Sequence, residues 1–219
     1  MILKSELIAV VNDALNRGYS TVGTVLDAKI TSVLKDLSQQ GNFLQCECKR
    51  LTVINRDYYS LPDNLQDLLF VGMKSYDADP LLDNATIYKP LVYERFEMYK
   101  RNLYYSSTTG TPTRYTWQSG YMYPRPIPDA VYNMYLWYAY THPEKVTNDD
   151  DEVVDACDYI LFKDIYREAI ELGLCYKVAL GLGLKTDAKD FLGLYMNQVS
   201  IRKADVKEHA QICAYRDGF

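Results

Sequence analysis

Histidine is scarce in this chain, with only His142 and His209 among 219 residues, and neither belongs to a recognisable catalytic constellation. Gly-x-Ser-x-Gly and His-Glu-x-x-His are missing, which excludes the familiar serine-hydrolase and zinc-protease arrangements. His142 precedes Pro143 at a predicted strand end, where packing or hydrogen bonding is the expected role, and His209 falls on a polar helix end. The carboxylate pairs that hydrolyse glycosides are defined by a separation in space, and 29 acidic residues supply many pairs by chance. The expectation is a protein that is not an enzyme.

Cysteine supplies neither a metal site nor a disulfide framework. The five, Cys46, Cys48, Cys157, Cys175 and Cys213, are odd in number and scattered, and they read as thiols of a reducing compartment. Cys46 and Cys48 share one strand face without further ligands nearby. Asp149-Asp-Asp-Glu152 lacks the glycine and distal glutamate of a calcium loop. It reads instead as the acidic start of a long helix, favoured by free N–H groups and the macrodipole. Gly181-Leu-Gly-Leu-Lys-Thr186 lacks the spacing of a phosphate loop and follows a helix rather than a strand. It reads as a helix joint, with Thr186 or Asp187 capping the second helix. No cofactor and no metal are expected.

Long hydrophobic runs are absent too, far short of the roughly 20 residues a membrane helix needs, so no membrane partner is expected. The start MILKSELIAVVNDALN carries Glu6, Asn12 and Asp13 and no small-residue cleavage site. It does not read as a signal peptide, and synthesis in a cytoplasm is expected. The formal charge is −5, and basic residues come as pairs (Lys49-Arg50, Lys100-Arg101, Arg202-Lys203) rather than stripes. That pattern argues against gripping phosphates, although an acidic chain can surround DNA without gripping it.

What is present is an ordinary globular composition, 48% hydrophobic and 24% charged, with 21 tyrosines. A chain of this length buries roughly 70% of its unfolded surface and folds unaided. Leu3, Leu7, Ile8, Val11 and Leu15 fall at helical spacing up to Gly18. Val25, Leu26, Ile30, Val33, Leu34 and Leu37 make a second stripe, with Gly41 placed for a left-handed cap. These predict a helical hairpin over 1–42. The period then changes over 43–145. Leu51 to Ile54 and Tyr58 to Leu61 read as short strands around a turn, Leu61-Pro-Asp-Asn as another turn, and Leu65 to Met73 as an apolar run. Pro80 and Pro90 bracket a loop, and Val92 to Arg101 predicts a short helix on the sheet.

From Gly110 to Glu152 punctuation and alternation combine. Arg114 to Gln118 alternates toward a strand, and Ser119-Gly120 turns into Tyr121-Met-Tyr. Pro124, Pro126 and Pro128 force extended backbone. Val131 to Tyr140 alternates with both faces apolar, which predicts a strand covered on each side. Over 146–219 helices return. Tyr159 to Leu174 is apolar nearly all round and must be buried on several sides; Phe191, Leu192, Tyr195, Met196 and Val199 form one stripe of its partner. The fold class read from this is α+β, a helical bundle from N- and C-terminal helices with a β-rich, sandwich-like middle insertion.

An ordered set of segments resembles the head-to-tail adaptor (connector, or head-completion) proteins of tailed bacteriophages. It comprises Tyr58-Tyr-Ser-Leu-Pro-Asp63, Gly110-Thr-Pro-x-x-Tyr115, Tyr123-Pro-x-Pro-x-Pro-Asp129 leading into the Tyr132 to Tyr140 strand, and Pro143-x-x-Val-Thr-Asn-Asp-Asp-Asp151. The resemblance implies a virion structural protein that forms a ring of about twelve copies beneath the portal protein. It further implies a DNA channel without sequence-specific binding and an attachment surface for a tail (nozzle or tube) protein. Helices would then serve the ring and the portal, and 43–145 the tail side. Tyr121, Tyr123, Tyr135, Trp137, Tyr215, Arg216 and Phe219 are the candidate interface residues, Tyr and Trp giving contact area with a polar tip. Cys213 to Phe219 reads as a docking tail. The rival expectation is a tail-associated binding module whose aromatic β face recognises a host glycan.

Overall fold

A computed structural model describes residues 2–15, 23–76, 88–101, 108–147, 153–155 and 160–216, and for 207–216 the helix path alone. In chain order the elements begin with α1 (Lys4–Ala14), α2 (Gly23–Gln40), β1 (Gln45–Leu51), β2 (Tyr59–Ser60) and β3 (Leu65–Ser75). Next come β4 (Lys89–Pro90), β5 (Val92–Tyr93), α3 (Phe96–Arg101), β6 (Thr109–Gly110), β7 (Arg114–Gln118) and β8 (Tyr121–Arg125). The chain finishes with β9 (Ile127–Pro128), β10 (Tyr132–Tyr140), β11 (Lys145–Thr147), β12 (Val153–Asp155), α4 (Arg167–Gly181) and α5 (Lys185–Arg216). Helices at both ends around a β-rich middle make this an α+β chain. Two compact units result, one from 1–44 with 141–219 and one from 45–140.

The helical unit is organised on α4, which packs against α1, α2 and α5. That explains its apolar circumference: Ala169, Ile170, Gly173, Leu174, Cys175, Val178 and Ala179 are all buried. Gly173 is where the approach is closest, since a Cβ there would lie 2.9 Å from Val33 Cγ1 of α2 and 3.1 Å from the Tyr195 ring of α5. Half-buried Lys177 bridges to Ser32 and Asp36 of α2, and Arg167 pairs with Glu6 of α1 at 3.0 Å. A Lys4–Asp27 ion pair at 2.6 Å ties α1 to α2.

Several expectations shift here. Val153 to Asp155 is not the start of a helix but a strand paired antiparallel with Lys145 to Thr147. The long helix begins instead at Arg167, behind a 3-10 turn at Asp164–Tyr166, and Asp149 to Glu152 lies outside the described residues. Ile160 and Phe162 are buried from irregular backbone, not from the helix. Gly41 is not left-handed; it leaves room for the Phe43 ring, 2.8 Å from where its Cβ would be. At the α4–α5 joint Gly183 does take a positive φ, 76°, and Leu184 N–H closes on Ala179 O at 3.0 Å. Thr186 and Asp187 sit inside the first turn of α5 rather than capping it, because the helix already starts at Lys185. On α5 the apolar stripe divides: Tyr195 and Val199 are buried, while Leu192 and Met196 are exposed.

The β unit holds two four-stranded sheets over one core, with strand orders β1-β10-β3-β4 and β2-β8-β7-β5, and a short parallel β6-β9 pair. Tyr132, Met134, Leu136 and Tyr138 of β10 meet Tyr59, Tyr115 and Met122 of the second sheet in that core. The other β10 face, with Asn133, Tyr135 and Trp137, is only half-buried, so the strand is fully covered on one side rather than both. Two shifts in β3 pairing, at Trp137/Tyr138 and Ala139/Tyr140, keep the inward set in register. The first expected strand, Leu51 to Ile54, is displaced: β1 ends at Leu51 and residues 52–54 lead into the turn, and β1 and β2 join different sheets, β1 on β10 and β2 on β8. The turn is pinned by Tyr59, whose hydroxyl accepts from Val53 N–H at 2.9 Å and donates to Val53 O at 3.2 Å. Ser119 and Gly120, φ 53° and 79°, close the β7–β8 hairpin in the mirror-image turn that matches strand twist. The expected helix at Val92 to Arg101 is confined to α3, its first residues forming β5 beside β7.

Candidate interaction surfaces

Tyr121 and Tyr123 lie two apart on β8, so both stand on the side of their sheet away from Met122 and the core. There they join an aromatic chain. Exposed Tyr58 meets Tyr121 edge to face at 5.5 Å, and its ring lies 6.5 Å from Tyr123. Tyr123 in turn packs under α3 against Phe96 at 6.1 Å and Tyr99 at 5.7 Å. The Arg125 guanidinium covers the Tyr99 ring at 4.4 Å. Burial pushes that guanidinium below its ordinary pKa, against the pull of the Asp57 and Glu94 carboxylates.

Tyr135 and Trp137 occupy the outward face of the other sheet, so the four β-strand candidates form two patches, not one. Tyr135 is flanked by Phe70 at 5.9 Å and Tyr88 at 5.2 Å, and Lys74 Nζ lies 4.9 Å from the Tyr88 ring centroid. Burial first, and then its hydrogen bond to the Glu47 carboxylate, pushes the Tyr135 hydroxyl to about 12, so it stays a neutral donor. Tyr215 and Arg216 end α5, so Cys213 to Arg216 of the expected docking tail are helical; Phe219 lies outside the described residues.

Sequence reading did not find Phe70, Tyr88, Phe96 and Tyr99 as members of these patches. Phe96 and Tyr99 carried a signal in their helical spacing, but their partner ring on β8 is fixed only by the sheet. A third surface was also hidden. On α5 the stripe facing α4 is flanked by exposed Leu192 and Met196 on one side and exposed Leu194 and Ile201 on the other. The helix spans about 48 Å against about 22 Å for α4. Arg202 and Asp205 act on Tyr166 beside the start of α4, so residues 206–216 continue beyond that level.

Among the described residues no cluster of three metal-ligating side chains exists and no helix is long and apolar enough to cross a membrane. His142 is structural in its contacts: buried, stacked on Phe162 at 5.8 Å, and bonded through both ring nitrogens to Pro143 and Leu161. Against known families, the sequence model described as SU10 adaptor protein matches residues 4–210, spanning both units. No curated protein matches the chain.

Proposed function

Because the chain belongs to the SU10 adaptor protein family, a family of bacteriophage structural proteins, we propose that it forms a ring of about twelve subunits beneath the portal. In this reading the ring extends the DNA channel without a sequence-specific grip and presents the tail attachment surface. The observation that carries it is the pair of exposed apolar flanks on α5, Leu192 with Met196 and Leu194 with Ile201. A ring contact is heterologous, so every subunit needs two different surfaces, one for each neighbour. A buried stripe with an apolar strip on either side supplies that requirement on one helix.

Charge supports the same division of labour. The ten basic and ten acidic residues within 45–140 cancel, so the whole net charge of −5 belongs to the helical unit. An acidic wall lets DNA slide past. The neutral β unit, with Tyr121 and Tyr123 on one face and Tyr135 and Trp137 on the other, serves the tail protein. Tyr215 and Arg216 at the end of α5, with Phe219, serve the portal. Quantitative mass spectrometry of purified virions tests this: copy number near that of the portal is expected. Absence from the particle, or a ratio far from unity, would sink the ring and turn attention to glycan binding by the isolated protein.

A further inference from the structure

We infer that two free copies of this chain pair edge to edge through β1, antiparallel about a two-fold axis at Cys48. The starting point is an open edge. Among the described residues the only strand laddered with β1 is β10, and β1 has no proline or bulge to discourage a second strand. The direction of its amides follows from Thr52, which donates its N–H to Tyr132 O at 2.9 Å, while Tyr132 N–H returns to Thr52 Oγ1 at 2.8 Å. Thr52 therefore faces β10, and by the two-residue period so do Arg50, Cys48 and Cys46. Glu47, Lys49 and Leu51 direct their amides and carbonyls to the open edge. The Glu47 carbonyl there is approached by the Cys46 thiol at 3.6 Å, a weak donor that a backbone N–H would displace.

Charge then selects the register. Glu47 and Lys49 are both exposed. With the axis at Cys48, Glu47 of each copy faces Lys49 of the other, twice per dimer, and these are the pairs whose backbones exchange hydrogen bonds. An axis at Glu47 or at Lys49 would set like charges opposite each other, which disfavours pairing. The chosen register makes Cys48 face its own counterpart in a non-hydrogen-bonded pair, with Cα atoms about 4.5 Å apart. That distance is within the roughly 4.4 to 6.8 Å that a disulfide spans. The pairing is isologous, so it is distinct from the heterologous contact of a ring; it belongs to the unassembled chain, shielding the edge from uncontrolled association.

The test uses the full chain carrying Cys46→Ser, at about 0.1 mM so that a small interface is populated, with diamide as oxidant and peptide mass spectrometry as readout. A Cys48–Cys48 linked dimer is expected. Glu47→Lys and Lys49→Glu, each alone, should weaken the dimer measured by sedimentation about tenfold, because two attractive pairs become repulsive; the double exchange should restore it. Circular dichroism of each variant checks that the fold is unchanged. Linkage through other cysteines only, no linked species, single variants that sediment like the parent, or a double variant that stays weak would each overturn the inference, whatever the virion analysis shows.

Discussion

His142→Phe isolates what one buried imidazole does for the helical unit. The ring is 1% exposed and lies 12° from parallel to Phe162, a stack phenylalanine can reproduce. What phenylalanine cannot reproduce is the pair of hydrogen bonds. His142 Nδ1–H donates to Pro143 O at 2.9 Å while Nε2 accepts from Leu161 N–H at 3.3 Å. The substitution leaves both backbone groups without that partner, and a buried unsatisfied group costs about 1 to 3 kcal/mol. The longer bond is the weaker, so a total loss of about 2 to 4 kcal/mol in urea unfolding at pH 7.5 is expected. The sign of the pH dependence follows from the same geometry. Burial holds the His142 pKa below its ordinary 6.5, and the bond to Pro143 opposes that only in part. Just below pH 6.5 the unfolded chain binds the proton and the folded chain does not. Stability from this residue is thus complete above that range and is lost as pH falls through the unfolded value toward the folded one, by about 1.4 kcal/mol per tenfold difference in proton affinity. Wild-type protein should lose stability between pH 7.5 and 5.5 more steeply than His142→Phe. Equal slopes, or a loss under about 0.5 kcal/mol for the variant, would refute the assignment.

Gly173→Val should destabilise the helical unit by about 1 to 3 kcal/mol or more, because Val33 and Tyr195 leave no room at the crossing of α2, α4 and α5; thermal unfolding measures it. Leu194→Asp with Ile201→Asp should leave unfolding free energy within about 0.5 kcal/mol, since both sites are exposed, yet prevent ring assembly seen by electron microscopy. Deleting Tyr215 to Phe219 should leave the circular dichroism spectrum intact and abolish head completion, and normal infectivity of the deleted phage would remove the docking role. Tyr123→Ala should loosen α3, since it removes the ring shared by Phe96 and Tyr99; faster hydrogen exchange over 96–101 would report it.

The helical periodicity of Leu7 and Val11, of Ile30, Leu34 and Leu37, and the alternation of β10 were legible because each element's own residues carry its period. Ser119-Gly120 was legible because a two-residue turn needs positive φ. The helix expected to begin before Val153 shows the limit: the local sequence favours a helix start, and only the pairing of Val153 to Asp155 with Lys145 to Thr147 makes that segment a strand. The split of the candidate tyrosines followed the same logic. Their spacing along β8 and β10 set which neighbours share a face, but which faces look inward depended on how the two sheets stacked.

Sequence alone determined the class of fold, the helical ends and the β-rich middle, the scarcity of catalytic groups and the resemblance to adaptors, since all of these are local in the chain. Tertiary structure decided that α4 is clad by its own chain, that Leu194 and Ile201 are left outside, and that, among the described residues, β1 ends its sheet. Burial and pairing are relations between distant residues, and a one-dimensional pattern records the residues without recording who meets whom.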